Sequence, residues 1–332
     1  MTSPSLLSII GGGSWGTALA IVLSSRFEQV RLWVYEPDLA QRMQSTREND
    51  VFLPGATLPP NVYPASSLED VLRDSDTVLT VMPSHHVRGI ATQMLPWLRP
   101  QASIVSATKG IENNTLKRVS EVLQEVMGSA RIAILSGPSF AKEVARGEPA
   151  AIAVASQDAA LAQQIQALFS TRTLRLYTNP DPIGVETGAA LKNVIAIAAG
   201  VCQGLGLGSN SRAALITRGL AEITRLAVAM GGQPATLAGL AGLGDLVLTC
   251  TGDLSRNRQV GVELAKGRPI AEITASMRMV AEGVQTTYAA MDLARKYQVS
   301  LPITEQMEEI LEGRRGPSEA LRILMERSLK GE

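Results

Sequence analysis

Lys192 and Asn193 stand side by side in a run, AALKNVIAIAAG, that otherwise holds only small and apolar residues. Burying an ammonium group is costly unless a partner compensates for it. Either the tip of Lys192 reaches water, or its helix lines a polar cleft in which the charge is used in chemistry.

A second polar group lies in AGLGDLVLTCTGDLSRNRQVG, where Asp245 falls between Gly244 and an apolar run. A carboxylate in such a place needs a partner. Further along, Ser255, Arg256 and Asn257 precede a helical window. Backbone N–H groups, two polar side chains and a forked guanidinium would form a compact anion site there. The alternative is an ordinary helix N-cap followed by a surface arginine.

The stretch IIGGGSWGTALA contains the pattern G-x-G-x-x-G as Gly11, Gly13 and Gly16. The pattern is informative here because it follows a predicted strand and begins a predicted helix. Gly11 would permit the tight turn, Gly13 the close approach of a pyrophosphate, and Gly16 close packing of helix on strand. We therefore predict a dinucleotide site, the alternative being a flexible glycine turn without a ligand.

The second predicted strand ends in LWVYEPD, which places Tyr35 and Glu36 where the adenosine ribose of a dinucleotide usually lies. An acidic residue there binds the 2′-hydroxyl of NAD, whereas an arginine accommodates the 2′-phosphate of NADP. The nearest downstream arginine is Arg42. These residues favour NAD, although Glu36 could also simply face solvent.

Two further polar residues follow predicted strands at the edge where open α/β sheets bind ligands. Lys109 follows SIVSAT, and Ser139 follows ILSGP. Lys109 is either a ligand-binding cation or a solvated surface group. Ser139 is either the N-cap of the next helix or a hydrogen-bond donor in the cleft.

The first half of the chain contains the strands and helices that would position these residues. Short apolar runs, LLSII, VRLWVY, DTVLTVM, SIVSAT, IAILSG and AIAVAS, alternate with helical windows, which predicts a parallel, doubly wound sheet. From about residue 184 almost every window is helical. We predict an α/β fold in which a Rossmann-like domain, residues 1–183, precedes an all-α substrate-binding and catalytic domain, residues 184–332, with NPDPIG as the linker.

Composition excludes several classes of function. The 332 residues carry 31 basic and 31 acidic side chains, so the basic excess typical of nucleic-acid binding is absent. Two cysteines and two histidines show no metal-ligand spacing. The apolar runs are interrupted, and the N-terminus lacks the features of a signal peptide, which favours a cytoplasmic protein without a membrane span.

Eight segments together resemble one family across nearly the whole chain, up to about Thr287. They are GGGSWGTALA, PSHHVRG, ATKGIE, SGPSFAKEVARGEP, LKNVIAIAAG, SRAALITRGLAEI, AGLGDLVLTCTGDLSRNR and MVAEGVQT. The family is the bacterial-type NAD(P)-dependent glycerol-3-phosphate dehydrogenases. The resemblance implies reduction of dihydroxyacetone phosphate to sn-glycerol 3-phosphate for glycerophospholipid synthesis. It also implies NADH or NADPH as cofactor, no metal, and a homodimer.

Together with the residue-level arguments, the resemblance predicts the residues of the site. The predicted catalytic residues are Lys192, Lys109 and Asp245. The predicted substrate contacts are Lys109, Gly137, Ser139, Lys192, Asn193, Asp245, Ser255, Arg256 and Asn257. The predicted cofactor contacts are Gly11, Gly13, Ser14, Trp15, Gly16, Tyr35, Glu36, Lys109, Ala141, Arg256, Val280 and Glu282.

By this resemblance Lys192 exchanges the proton of the substrate oxygen. From the chemistry of the residues we expect Arg256, at the start of its helix, to bind the phosphate, with help from Ser255 and Asn257. Desolvation and a nearby Lys109 would lower the pKa of Lys192, whereas Asp245 would raise it. Tyr35 departs from the many members that carry a basic residue or histidine there, so the preference between NADH and NADPH stays open.

Two rival functions remain at this point. A related β-hydroxyacid dehydrogenase would also join a Rossmann domain to a helical domain with a catalytic lysine, but the SRNR stretch favours a phosphorylated substrate. A non-catalytic dinucleotide sensor would need only the glycine fingerprint, so Lys192, Asp245 and Arg256 argue against it.

Overall fold

The fold is given by a computed structural model that describes residues 5–128, 130–277, 281–329 and 331. The strands are β1 (Leu6–Ile10), β2 (Gln29–Trp33), β3 (Glu48–Asn49), β4 (Leu53–Thr57), β5 (Val62–Ala65), β6 (Thr77–Thr80), β7 (Ser103–Ser106), β8 (Ile111–Glu112), β9 (Lys117–Arg118), β10 (Arg131–Ser136), β11 (Ala150–Ala155) and β12 (Leu174–Asn179). Helices between these strands are α1 (Ser14–Leu23), α2 (Pro37–Thr46), α3 (Leu68–Leu72), α4 (Val87–Met94), α5 (Val119–Met127), α6 (Ala141–Ala145) and α7 (Ala159–Phe169).

The rest of the described chain is helical. Its helices are α8 (Pro182–Gly204), α9 (Ser209–Ala229), α10 (Pro234–Leu237), α11 (Asp245–Thr251), α12 (Arg256–Ala265), α13 (Ile270–Ala275), α14 (Glu282–Tyr297), α15 (Pro302–Leu311) and α16 (Pro317–Met325). A π-helical turn, Leu240–Gly244, leads directly into α11. Short 3₁₀ turns occur at Ser24–Arg26, Ser84–His86 and Leu95–Trp97.

Eight strands form one sheet in the order β12-β11-β10-β7-β6-β1-β2-β5. The predicted Rossmann-like sheet is confirmed, because β5, β2, β1, β6, β7 and β10 are parallel to one another. Apolar side chains of these strands are buried on both faces, as in other parallel sheets.

One predicted strand runs against this pattern. β11, the AIAVAS segment, is antiparallel to β10, and β12 is parallel to β11. A parallel connection needs a crossover of a dozen or more residues that packs on the sheet. Between β10 and β11 the chain forms only the short helix α6, which packs against α1.

Helix α8 is the centre of the helical part. Its residues from Gly184 to Val201 are all buried, and α9, α11, α12, α14 and α15 pack around it. Glycines permit the closest contact, since a Cβ at Gly200 would lie 1.9 Å from the carbonyl oxygen of Arg258. Lys192 and Asn193 therefore lie in the middle of a core helix.

Within the described residues, two runs are long and apolar enough to span a membrane by length and composition alone, Pro182–Gly204 and Pro234–Thr251. The first is α8, whose apolar window is 94% buried within the protein. Such burial is that of a core helix. The second is 44% buried and consists of α10, the π-helical turn and α11.

The predicted linker NPDPIG is a short turn between β12 and α8 that hydrogen bonds hold in place. Asn179 ends β12, and Asp181 is the N-cap of α8, which begins at Pro182. One carboxylate oxygen of Asp181 accepts from the backbone N–H of Gly184 at 2.8 Å, and the other accepts from that of Gln233 at 2.8 Å. The predicted boundary at residue 184 thus lies in the first turn of α8.

Candidate active site

Several predicted residues of the first half of the chain, and Ser84, which was not predicted, lie just beyond the carboxyl ends of the parallel strands. Gly11 follows β1, Tyr35 lies beyond β2, and Lys109 lies beyond β7. Gly137 follows β10, and Ser84 lies beyond β6. Since these strands are parallel neighbours, their carboxyl ends meet at one edge, where open α/β sheets bind ligands.

The glycine fingerprint has the geometry of a phosphate-binding turn. Gly11 has φ +127°, and a Cβ there would lie 2.0 Å from the carbonyl oxygen of Val81. A Cβ at Gly16 would lie 1.9 Å from the carbonyl oxygen of Gly11, so α1 packs directly on the turn. At Gly13, the N-cap of α1, a Cβ would meet no atom within 4 Å. The turn therefore leaves an open cradle over the N-terminus of α1, where free N–H groups favour an anion.

Lys192 lies at the centre of a buried network of polar groups. Its Nζ contacts Oδ1 of Asp245 and donates to Oγ1 of Thr249 at 3.0 Å. The other carboxylate oxygen of Asp245, Oδ2, accepts from Nζ of Lys109 at 2.9 Å. Lys192 is 5% exposed and Asp245 1%. The network joins α8 and α11 of the helical part to the end of β7 in the sheet.

The environment shifts the pKa values of this network. Burial lowers the pKa of Lys192 to about 7; Asp245 opposes the shift and Lys109 adds to it. Burial would raise the pKa of Asp245, but the two ammonium groups outweigh it and the net shift is downward. Asp245 therefore stays ionised, while Lys192 can gain or lose a proton near neutral pH.

The start of α12 lies close to α8 next to Lys192, since a Cβ at Gly283 would lie 2.7 Å from both the carbonyl oxygen of Asn193 and Oδ1 of Asn257. Ser255 is the N-cap of α12, and its Oγ accepts from the backbone N–H of Arg258 at 3.3 Å. Oδ1 of Asn257 accepts from the backbone N–H of Gly283 at 3.0 Å, which ties α14 to α12. Among the described residues no hydrogen bond of Asn257 Nδ2 is seen, whereas the Ser255 hydroxyl acts as the cap.

Arg256 and Glu282 are electrostatic partners. Burial lowers the pKa of Arg256, and the nearby Glu282 carboxylate opposes that shift. Burial likewise raises the pKa of Glu282 to about 7, against the effect of Arg256. The backbone N–H of Ser84, beyond β6, also opposes the rise in the pKa of Glu282. Glu282 therefore lies close to the sheet at the end of β6.

The adenosine end of the predicted dinucleotide site is separate from the lysine network. Tyr35 is 72% exposed, and its ring lies edge-on to Trp33 at 6.0 Å between centroids. Glu36 is exposed and is the N-cap of α2 without a side-chain cap bond. Ser14 and Trp15 form the first turn of α1. Ala141 begins α6, which packs against α1.

The remaining predicted residues differ in what the structure shows of them. Gly137 has φ +149° and leaves no room for a side chain, since its Cβ would lie 2.8 Å from Cα of Ile152. Ser139 does not cap α6: the N-cap is Phe140, and Oγ of Ser139 donates to the carbonyl oxygen of Gly137 at 2.9 Å. Asn193 is 6% exposed, and within the described chain no hydrogen bond of its side-chain amide is seen. Val280 lies outside the described residues.

Sequence reasoning missed Thr249 and Ser84. Thr249 follows Asp245 by one helical turn, so the i, i+4 spacing within α11 was the available signal. Its hydroxyl donates to the carbonyl oxygen of Asp245 at 2.6 Å and accepts from Lys192. Ser84 contributes a backbone N–H group, for which side-chain identity gives no signal.

The donor groups at this edge suit a dinucleotide rather than a metal. In the residues that the structure describes, no group of three or more His, Cys, Asp or Glu side chains could hold a metal ion. The open cradle at Gly13 and the N-terminus of α1 could hold a pyrophosphate, and Glu36 lies at the adjoining strand end. The arrangement can bind a dinucleotide along the edge and exchange a proton at Lys192.

Comparisons with known proteins agree along nearly the whole chain. Residues 7–162 and 181–322 match the families described as NAD-dependent glycerol-3-phosphate dehydrogenase N-terminus and C-terminus. A relative from Koribacter versatilis named glycerol-3-phosphate dehydrogenase (NAD(P)+) is 58% identical over 328 residues, covering 97% of each chain. One of the same name from Citrifermentans bemidjiense is 53% identical over 329 residues, covering 98% of each.

Solved structures show the same agreement. The crystal structure of glycerol-3-phosphate dehydrogenase from Coxiella burnetii is similar with a TM-score of 0.94 and 39% identity, covering 98% of this chain and 100% of that one. The glycerol-3-phosphate dehydrogenase of Saccharomyces cerevisiae has a TM-score of 0.83 and 26% identity, covering 97% of this chain and 100% of that one.

Proposed function

The chain belongs to the NAD-dependent glycerol-3-phosphate dehydrogenase family, and from that premise we propose that Lys192 is the acid that protonates its substrate. The enzyme is an NAD(P)-dependent oxidoreductase that reduces dihydroxyacetone phosphate to sn-glycerol 3-phosphate, the precursor of glycerophospholipids. When bound, the nicotinamide cofactor supplies the hydride that adds to the carbonyl carbon. The oxygen that gains negative charge in that step needs a proton.

The arrangement around Nζ of Lys192 carries the proposal. An ammonium group has three donors. One contacts Oδ1 of Asp245, and a second is donated to Thr249 at 3.0 Å. Because the Thr249 hydroxyl proton is itself donated to the Asp245 carbonyl oxygen, the Thr249 oxygen serves Lys192 as an acceptor. The third N–H remains for the carbonyl oxygen of the substrate.

The charges of the network suit that transfer in either direction. With a pKa lowered to about 7, Lys192 is a stronger acid than a solvated lysine and can still be reprotonated near neutral pH. Asp245 holds the ammonium in place, and Lys109 shares the same carboxylate. Both ammonium groups can stabilise the developing alkoxide.

Arg256 is the proposed phosphate clamp. It begins α12, whose first N–H groups add favourable partial charge, and Asn257 offers its Nδ2 group. The guanidinium suits a phosphate because its forked donors match two oxygens. Its binding energy would orient the three-carbon end toward Lys192.

Kinetics with two substrates test the clamp. For Arg256→Ala we expect kcat/KM for dihydroxyacetone phosphate to fall by roughly tenfold to a hundredfold, the loss of charged hydrogen bonds. Unphosphorylated dihydroxyacetone should be affected far less. The matched control is Arg268→Ala, which should behave as wild type. Arg268 lies beyond α12 and pairs with Glu263. Equal losses on both substrates would place the phosphate elsewhere.

We extend the proposal to the whole protein. It works as a cytoplasmic homodimer on a small-molecule substrate, without nucleic acid or a membrane span, with residues 1–183 binding cofactor and residues 184–332 binding substrate. Balanced charge supports the absence of nucleic acid. Leu243, Val247 and Leu254, near the start and beyond the end of α11, are each more than a third exposed, which supports association.

A further inference from the structure

We propose that Glu36 makes this chain selective for the cofactor that lacks a 2′-phosphate, so that it binds NADH in preference to NADPH. The inference rests on the proposed function and adds a specificity-determining residue to it.

The end of β2 is joined directly to the phosphate-binding turn. The backbone N–H of Gly11 donates to the carbonyl oxygen of Trp33 at 3.2 Å. A Cβ at Gly12 would lie 2.8 Å from Cγ2 of Val34, which means that Val34 packs against the glycine fingerprint. Tyr35 and Glu36 come next along the chain. A dinucleotide whose pyrophosphate lies over Gly13 therefore brings its adenosine ribose toward Glu36.

No hydrogen bond or ion pair of the Glu36 carboxylate is seen among the described residues. The residue is exposed, has extended backbone (φ −85°, ψ 113°), and as N-cap of α2 makes no side-chain cap bond. An ionised carboxylate only accepts hydrogen bonds, and the two ribose hydroxyls are donors. Asp38, in the first turn of α2, adds a second negative charge. A 2′-phosphate would meet two carboxylates there.

The arginines of β2 and α2 are engaged elsewhere. Arg31 donates to the carbonyl oxygens of Asp70 and Arg73 at 2.9 and 2.8 Å. The guanidinium of Arg47 donates to the carbonyl oxygen of Val62 at 2.9 Å. Arg42 makes two bonds of 3.2 Å to Asp50. That last pair is exposed, so Arg42 is the cation whose movement would defeat the proposal.

Tyr35 adds no compensating charge. Its ring lies just beyond the end of β2 and contacts the ring of Trp33. Nε1 of Trp33 in turn donates to the carbonyl oxygen of Ser66 at 2.9 Å. The corner thus presents a neutral aromatic ring and two carboxylates where a phosphate dianion needs cations.

Binding of NADH and NADPH to the free enzyme, followed by fluorescence titration, tests the inference without turnover. Wild type should bind NADH at least about tenfold more tightly, since charges at contact distance repel by this order. Glu36→Gln should reduce the ratio of the two dissociation constants, and Glu36→Arg should reverse it. Glu28→Gln, an exposed carboxylate just before β2, should leave the ratio unchanged.

Arg42→Ala should also leave the ratio unchanged. Equal or tighter binding of NADPH by wild type, or a ratio that Glu36→Arg does not move, would overturn the inference. If NADPH binding depended on Arg42, the inference would be overturned as well. None of these outcomes contradicts the proposed reduction of dihydroxyacetone phosphate. Binding of neither cofactor would instead overturn the proposed function.

Discussion

Asp245 divides its carboxylate between two ammonium groups, and this sharing adjusts the pKa of Lys192, which burial lowers. One oxygen contacts Lys192 and the other accepts from Lys109 at 2.9 Å. Burial lowers the pKa of Lys192, Asp245 raises it, and Lys109 lowers it. The two neighbours therefore act in opposite directions on one group.

Removing each neighbour should move the pH dependence in opposite directions. Reduction requires protonated Lys192, so kcat/KM for dihydroxyacetone phosphate should fall as pH rises through a pKa of about 7. Asp245→Asn removes the group that raises this pKa, so the midpoint should move to lower pH. Lys109→Gln removes the group that lowers it, so the midpoint should move to higher pH.

The pH profile of kcat/KM at saturating cofactor measures both shifts. Asp253→Asn changes an exposed carboxylate between α11 and α12, and it should leave the midpoint of the pH profile in place. Shifts in the same direction for both variants would show that Lys192 is not the group that titrates.

At the residue scale, the sequence predicted which charged residues take part in the chemistry better than it predicted their hydrogen-bond partners. Lys192 and Asp245 were conspicuous because charged groups in apolar runs need partners. Thr249 was missed because a threonine in an apolar helix is usually unremarkable. The Ser139 cap was wrong because the helix begins one residue later, beyond Phe140. Hydroxyl partners depend on backbone detail that local sequence does not fix.

At the element scale, helix starts and turns position the site. The π-helical turn Leu240–Gly244 aims the first residue of α11, Asp245, at α8. A Cβ at Gly242 would lie 2.1 Å from the carbonyl oxygen of Leu237, so this turn accepts only glycine there without rearrangement. Single π-turns are frequent at functional sites.

The fingerprint glycines should separate stability from binding. Gly16→Ala places a Cβ 1.9 Å from the Gly11 carbonyl oxygen and should lower the free energy of unfolding by about 1–3 kcal/mol. At Gly13 a Cβ meets nothing within 4 Å, so Gly13→Ala should keep the thermal midpoint. It should nevertheless weaken NADH binding, because the methyl group enters the cradle. Thermal unfolding and NADH titration measure the two effects; unchanged NADH affinity in Gly13→Ala would exclude a pyrophosphate at this turn.

Elements were predictable where local pattern decides them. β1, β2, β6, β7, β10 and β11 appear where apolar runs predicted strands, and α8 where the Lys192 run predicted a helix. The direction of β11 was not predictable, because the same apolar run fits either direction and tertiary packing decides between them. The π-helical turn likewise depends on packing of Gly242 against α10.

At the scale of the whole molecule, a few polar contacts join the sheet to the helical part. Glu186 of α8 accepts from Nη1 of Arg118 at 2.6 Å and from the backbone N–H of Ser120 at 2.7 Å. Burial raises the pKa of Glu186, while Arg118 opposes the shift. Lys109 and Asp245 form another link. The change from sheet to helices was predictable from composition, but these cross-connections join residues far apart in sequence.

Loss of the Glu186 contact should destabilise the protein as a whole. Glu186→Ala removes the buried partner of Arg118, whose side chain is 12% exposed, and leaves the partly exposed Glu121 as its other ion-pair partner. Breaking a buried pair from one side costs about 3–5 kcal/mol, which denaturant unfolding would measure. Glu69→Ala breaks an exposed pair with Arg73 and should cost about 0–1 kcal/mol. Similar losses for both variants would contradict the role given to Glu186.

The most direct test of the account is turnover by Lys192→Ala at saturating NADH and dihydroxyacetone phosphate. We predict that kcat falls by at least about a hundredfold, the low end for loss of a general acid. We also predict that NADH affinity stays close to that of wild type, and that the remaining rate no longer titrates near pH 7. Turnover close to that of wild type, with the same pH profile, would show that another group supplies the proton.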